Sequence, residues 1–368
     1  MIEKDLSVLQ AMRPLSLWRR LLRLGGFASQ FPPPKIDSES EARDVRAALE
    51  TLITNNVKRF DMLFLQGVAC AAQPAEREYL DVLAKAGYVK KTIGMVFRPC
   101  VRVFVLDDHF IATDLLSRTD EDQVFSLMME QVLLVRAMDV RKGDHVLELC
   151  LGSGVNTLSA ASRGAGRAVG VDISGRAIAF ARSNALVNLR SERDETKLET
   201  FQGNLFEPLD SQDQFDLILV NPPFELVPPG RRYFLHSHGG EDGLDVIRAF
   251  LPGLKSRLKP GGRFEMFTWA PGDEQNERVS GLVAAALPGY RVEVIQADCL
   301  PLEDRIATFR NKPVYQEWKN RLMAQGITHI WGVHVRALES NVSGIVRIEA
   351  RELVAECFAV ASEWSPKK

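Results

Sequence analysis

From about residue 144 onward, short apolar runs alternate with helical stretches, and this pattern constrains the fold more than any other feature of the 368-residue chain. The strand candidates are 145–149, 168–172, 198–201, 215–220, 262–268 and 290–297. Strands separated by helices of this length predict a doubly wound, mostly parallel α/β sheet, with helices packed on both faces. No internal repeat interrupts the alternation. The charge-rich stretch 190–197 (RSERDETK) reads as a solvated loop between a helix and a strand.

The first third of the chain is different. Residues 15–24 (LSLWRRLLRL) place Leu15, Trp18 and Leu22 on one helical face with three arginines beside it. The prolines at 32–34 then predict an extended linker. Helices are expected over 38–53, 57–65 and 74–86, followed by a β-hairpin over 88–106 that turns at Gly94. Three helices and a hairpin suggest a small, α+β, winged-helix-like unit. A further helix over 121–138 leads into the alternating region. The expected division is a helix and linker over 1–35, a winged-helix-like domain over 36–118, and the sheet domain over 119–368.

Charge and cysteine usage narrow the partners. Forty-six basic residues stand against forty-eight acidic ones, a formal net charge of −2. Residues 1–125 hold seventeen of each sign, so the winged unit is not a basic module built to grip a phosphate backbone. Nucleic acid is an open but unsupported partner. No run reaches the ~18–20 apolar residues of a membrane span, and no apolar core of a signal peptide opens the chain. Five scattered cysteines without a C-x-x-C pair suit reduced thiols, so a cytoplasmic location is expected.

The candidate chemistry gathers at the ends of the strands. The first strand runs into Glu148-Leu-Cys-Leu-Gly-Ser-Gly154, where Gly152 and Gly154 allow a tight turn close to a ligand. Asp172 closes the second strand, where a carboxylate can accept both ribose hydroxyls of a nucleoside or cap the next helix. Asn204 follows the third strand and can meet an adenine edge. The fourth strand ends in Asn221-Pro-Pro-Phe224. Two prolines after a buried strand are costly unless a fixed backbone shape is needed. Here the Asn221 carboxamide oxygen and the Pro222 carbonyl can accept the two hydrogens of a planar amino group. Pro223 stiffens the corner and Phe224 stacks on the group's flat face.

Taken in order, these motifs resemble those of class I S-adenosylmethionine-dependent methyltransferases, within the methyltransferase small-domain group that includes the release-factor glutamine methyltransferases. The matching stretches are Glu148–Gly154, Asp172, Gly203-Asn-Leu-Phe206, Asn221–Phe224, Gly239-Gly-Glu-Asp-Gly-Leu-Asp245 and Leu258-Lys-Pro-Gly-Gly262, across about half the chain. The resemblance implies a Rossmann-like, seven-stranded sheet and S-adenosyl-L-methionine as cofactor. It implies that Glu148 and the glycine-rich turn meet the methionine end, Asp172 the ribose, and Asn204 the adenine. The cofactor-binding set is Glu148, Cys150, Gly152, Gly154, Asn156, Asp172, Ile173, Asn204, Leu205 and Asn221. The catalytic corner is Asn221, Pro222, Pro223 and Phe224. Cys150 stands where the family has glycine, and Asn204 where it has an acidic residue. Phe224 replaces the tyrosine of the glutamine-methylating branch, which argues against a protein-glutamine acceptor.

In the loop that follows, Tyr233, His236 and His238 either contact substrate or are exposed loop residues. No metal site is expected there, because the His-Ser-His stretch has no further ligands. The function expected is methyl transfer to a planar nitrogen of a small molecule, a nucleobase or an amide, with a small or carrier-bound substrate favoured. The alternative is a secondary-metabolism enzyme that uses the same cofactor for O-methylation, or for an intramolecular cyclisation or lyase reaction releasing methylthioadenosine. A third reading is a nucleic-acid-binding module whose cofactor fold serves as a sensor.

Overall fold

The computed structural model describes residues 31–189 and 198–364; the basic helix expected at 15–24 and the loop at 190–197 lie outside the described residues. The strands of the N-terminal third are β1 (Cys70–Ala71), β2 (Val89–Lys91), β3 (Val96–Pro99), β4 (Val101–Leu106) and β5 (His109–Asp114). They accompany helices α1 (Glu39–Phe60) and α2 (Arg77–Lys85). After helix α3 (Met129–Ala137) come β6 (His145–Leu149), α4 (Val155–Ser162), β7 (Arg167–Asp172), α5 (Gly175–Asn188), β8 (Leu198–Gln202) and β9 (Phe215–Val220). Then follow α6 (Asp245–Arg257), β10 (Leu258–Gly272), α7 (Val279–Ala286), β11 (Tyr290–Pro301), α8 (Leu302–Arg305) and α9 (Tyr315–Ala324). The last elements described are β12 (His329–Glu339), β13 (Gly344–Ile348) and α10 (Arg351–Glu363).

Strands β6 to β13 form one sheet in the order β13-β11-β12-β10-β9-β6-β7-β8. The pairs from β8 through β10 are parallel, whereas β12 runs antiparallel to both β10 and β11. The sheet therefore has eight strands where seven were expected. The extra strand is β13, which lies parallel to β11 and is exposed along its length, its Ile345, Val346 and Ile348 included.

Side-chain alternation explains why both faces are covered. In β9, Leu217 and Leu219 enter the core beneath α3, α4, α9 and α10, while Ile218 and Val220 enter the one beneath α6 and α7. All four are fully buried. Each such side chain contributes about 1.5–3 kcal/mol through removal from water. A strand apolar on both faces can only sit inside a three-layer sandwich.

The N-terminal elements depart from expectation in three places. The two helices expected over 38–53 and 57–65 are a single α1, which Ser38 caps by accepting the Glu41 N–H at 3.2 Å, and which ends in a π-helical turn at Asp61–Leu65. The break between them survives only as Asn56, whose backbone (φ −157°, ψ 72°) leaves helical geometry. The hairpin at Gly94 joins β2 to β3, but β4 leaves it to pair with β5. The helix expected over 121–138 is present only from Met129. Its first part is held open because Asp114 accepts the Val124 N–H at 2.9 Å and Gln123 donates to the Leu115 and Arg118 carbonyls. These side chains satisfy the backbone in place of helical bonds. The N-terminal core also includes Ala177, Phe180 and Val187 of α5, so it packs directly on the sheet domain.

Candidate functional site

Strand register brings the motifs to one edge. Leu149 of β6 lies opposite both Val171 of β7 and Val220 of β9. The turns that start at Cys150 and Asn221, and the carboxylate of Asp172, therefore leave the same rim side by side, which is where parallel α/β sheets bind ligands.

The turn after β6 is built from left-handed backbone. Cys150, Gly152 and Gly154 have φ of 59°, 55° and 79°. The first of these is a side-chain-bearing residue in a region that costs about 1–2 kcal/mol outside glycine. Gly154 is also required sterically, since a Cβ there would lie 2.8 Å from the Ala181 Cβ of α5. The Gly152 N–H donates to Asp172 Oδ2 at 2.8 Å, and the Ser174 N–H donates to Oδ1 at 2.8 Å. Burial pushes the Asp172 carboxyl up from its ordinary value while these two bonds pull it down. Ser174, not Asp172, caps α5, through its hydroxyl and the Ala177 N–H. Each Asp172 oxygen thus accepts one described hydrogen bond and keeps further acceptor capacity.

Glu148 is buried at 1% exposure. It accepts from Asn156 Nδ2 at 2.7 Å, from the Thr157 N–H at 2.8 Å, and from the Thr157 hydroxyl. Burial pushes its carboxyl up to about 7, against those hydrogen bonds. Asn156 is itself 2% exposed and its Oδ1 has no partner.

At the fourth strand, Asn221 Oδ1 is buried and without a partner, and no described hydrogen bond reaches the Pro222 carbonyl. The corner is backed by the glycine loop. A Cβ at Gly239 would lie 2.8 Å from the Phe224 Cα, and one at Gly243 2.7 Å from the Phe224 carbonyl oxygen. Glu225 pairs with that loop through Ser237 and Gly239. Arg305 closes the wall behind Phe224. Its guanidinium lies 5.8 Å from the Phe224 ring and 4.7 Å from the Trp269 ring, and pairs with Glu225 at 2.7 Å.

These groups share one cavity of about 1260 Å³. It brings together every residue of the expected cofactor set except Gly154, the four residues of the Asn-Pro-Pro-Phe corner, and Tyr233, His236 and His238. Gly154 lies behind the turn, against α5. His236 stacks between Phe125 (4.7 Å) and Phe234 (5.2 Å), and its Nδ1 lies 2.7 Å from the Ser237 hydroxyl. Burial pulls its imidazole down to about 4, so it is neutral at physiological pH. The cavity also takes in residues that sequence reasoning missed: Phe125, Glu130, Glu225, Trp269, Asp298, Arg305 and Trp364. Phe125 lies in a segment expected to be helical. Glu225 directly follows the corner, whereas Glu130 of α3, Trp269 and Asp298 of strand interiors, Arg305 of a short helix and Trp364, the last described residue, lie where no local spacing marks a site. Among the described residues no group of three or more His, Cys, Asp or Glu is placed to hold a metal ion, and no helix is long and apolar enough to cross a membrane.

A parallel sheet with one antiparallel strand, β12, between β10 and β11, a carboxylate at the tip of the second strand and an Asn-Pro-Pro-Phe corner at the fourth together define a class I S-adenosylmethionine-dependent methyltransferase. The residues present fit that cofactor. The turn has no side chain at Gly152, Asp172 has lone pairs for a ribose, and Asn156 Oδ1 is a buried acceptor lacking a donor. The volume exceeds the ~300–1000 Å³ of a single-ligand pocket, leaving room for an acceptor.

Comparison with known proteins narrows the class. The family model described as conserved hypothetical protein 95 matches residues 122–228. A Methanocaldococcus jannaschii protein named as a protein N5-glutamine methyltransferase is 28% identical over 50% of this chain and 88% of its own length. The release factor glutamine methyltransferase of Geobacter sulfurreducens is 38% identical over 33% of this chain and 45% of its own. That of Caulobacter vibrioides is 35% identical over 51% and 64%. The chain thus spans less than two thirds of the two release factor enzymes. A preference for small-molecule acceptors finds no support among these relatives.

Proposed function

We propose that this chain methylates an amide-type planar nitrogen, presented to Asn221 and Pro222 by a macromolecular acceptor. The observation that carries this reading is the buried, unpartnered Asn221 Oδ1 beside the unbonded Pro222 carbonyl. An acceptor without a donor in a protein interior costs about 1–3 kcal/mol, and an amino group bearing two hydrogens removes that cost. The three glutamine-methylating relatives support the same acceptor. Phe224 differs from tyrosine only by a hydroxyl and keeps the stacking face, so it weighs little against an amide.

A bound S-adenosylmethionine would supply an activated methyl group on cationic sulfur, for transfer to the acceptor nitrogen with the C–S electron pair left on sulfur. The protein's work is alignment and exclusion of water. Asp172 accepts the ribose hydroxyls. Asn156 Oδ1, lacking a partner, would accept from the methionine ammonium, and Glu148 would act on it through Asn156 Nδ2. Asn221 and Pro222 fix the nitrogen, and Phe224 holds the acceptor plane. The nitrogen sheds its proton to solvent, since His236 is too weak a base at neutral pH. The unit over 36–118 is proposed as a cover for this site, and the chain as a cytoplasmic enzyme.

The test is Asn221→Ala. It should lower kcat by about 10²-fold or more, while S-adenosylhomocysteine, measured by calorimetry, weakens by no more than about fivefold. A variant with full turnover sinks the reading. Recovery of methylthioadenosine instead of S-adenosylhomocysteine as product would point to the cyclising or lyase chemistry.

A further inference from the structure

The cavity carries an excess of negative charge that the cofactor alone does not answer. Eight acidic residues and four arginines line it, a formal balance of −4. The cofactor, a sulfonium and an ammonium against one carboxylate, brings one net positive charge. In the acceptor half Arg305 is already neutralised by Glu225. Glu130 of α3 and Asp298 of β11 also line the cavity, and neither has an ion pair among the described residues. Glu130 accepts from Trp269 Nε1 at 3.0 Å, and Asp298 from the Cys299 N–H at 2.8 Å. Burial raises both carboxyls above their ordinary range. Two half-buried carboxyls from separate elements, whose nearby cation is the Arg305 already paired with Glu225, are costly to ionise together until a further positive charge reaches them. The Trp269 and Phe224 rings beside them already hold the Arg305 guanidinium, so the wall is one on which cations rest.

We propose that the acceptor carries a positive charge beside the amide it presents, and that Glu130 and Asp298 receive that charge. The inference rests on the methyl-transfer reading for the identity of the amide, but its charge preference is measurable alone. A cleft with an excess of one sign concentrates ligands of the other and disfavours its own. Phosphate-bearing nucleic acids and carboxylate metabolites are therefore poor occupants, and a glutamine flanked by a basic side chain is a good one.

The experiment titrates the full-length protein, saturated with S-adenosylhomocysteine, with agmatine, glutaramide and glutarate by calorimetry. Agmatine should bind at least about tenfold more tightly than glutarate. Glu130→Gln and Asp298→Asn should each weaken agmatine by about fivefold or more while leaving the affinity for S-adenosylhomocysteine unchanged. Using two variants guards against one that fails to fold. Glutarate binding as well as agmatine, no agmatine binding, or agmatine binding untouched in both variants overturns the proposal. Methyl transfer to synthetic peptides with Lys- or Glu-flanked glutamine separates the two ideas. Methylation regardless of flank sinks the charge inference and leaves the amide reading standing. Agmatine selectivity without methylation of any peptide does the reverse.

Discussion

Asn184 holds Ala112 by both of its backbone groups, accepting the Ala112 N–H at 2.9 Å and donating to the Ala112 carbonyl at 3.0 Å. One turn on, Asn188 does the same for Phe110 at 2.8 and 2.9 Å. Helix α5 thereby stands in for a strand beside β5 and satisfies groups that a two-stranded sheet leaves open. Asn184 Nδ2 also donates to the Ser153 carbonyl at 2.9 Å, within the glycine-rich turn. A single carboxamide therefore joins the β4–β5 pair to the glycine-rich turn of the proposed cofactor site.

Removing it should be felt in both places. Asn184→Ala leaves the Ala112 groups buried and unpaired, at about 1–3 kcal/mol each. Urea unfolding should show a loss of about 2–4 kcal/mol. The same variant should weaken S-adenosylhomocysteine binding, whereas Asn188→Ala, which does not touch Ser153, should reduce stability alone. Equal cofactor affinity in the two variants would show that the turn is held by other contacts.

Asp172 offers a sharper reading of cofactor affinity. Two ribose hydroxyls donating to a carboxylate are worth about 1.5–3 kcal/mol each. Asp172→Ala also removes the partner of the Gly152 and Ser174 N–H groups, so the turn loosens with it. Calorimetry should find S-adenosylhomocysteine bound about 10²-fold more weakly or worse. A change below about fivefold would mean that the sugar sits elsewhere.

The strands that carry the site were readable because each is apolar on both faces, as Leu217 to Val220 illustrate, and because Gly152, Asp172 and Asn221 fall directly after such runs. Glycines and prolines mark backbone shapes that other residues do not adopt at low cost, so they are visible locally. The far half of the cavity was not readable. Arg305 meets Glu225 across 80 positions and Glu130 meets Trp269 across 139, and no periodicity encodes such meetings. The segment before Met129 was misread for a similar reason, since Asp114 and Gln123 satisfy a backbone whose apolar spacing alone suggests a helix.

Glu148 should leave a mark on the pH dependence of stability. Its carboxyl is raised to about 7 by burial, whereas a solvated glutamate titrates near ~4.3. The folded state binds the proton more tightly, so this contribution is complete below the unfolded value and is lost as pH rises through about 7. The loss approaches about 3 kcal/mol. Glu148→Gln cannot titrate, so the stability difference between the native protein and the variant should shrink by that order between pH 4.5 and 7.5. A difference that stays constant across the range would place the titration in some other group.

Gly154 and Ala181 provide a test of why the turn takes its shape. A side chain at Gly154 meets two obstacles: the backbone φ of 79° and an Ala181 Cβ at 2.8 Å. The first costs about 1–2 kcal/mol, and the second forces α5 away from the turn. Gly154→Ala should therefore destabilise the protein by about 2–4 kcal/mol and weaken cofactor binding, because Gly152 and its bond to Asp172 move with the turn. Ala181→Gly added to it opens the space without relaxing the backbone, so the double variant should keep only the φ part of the penalty. The double-mutant cycle then gives a coupling of about 1–2 kcal/mol between the two positions. A coupling near zero would show that backbone conformation alone, and not the approach of α5, requires glycine there.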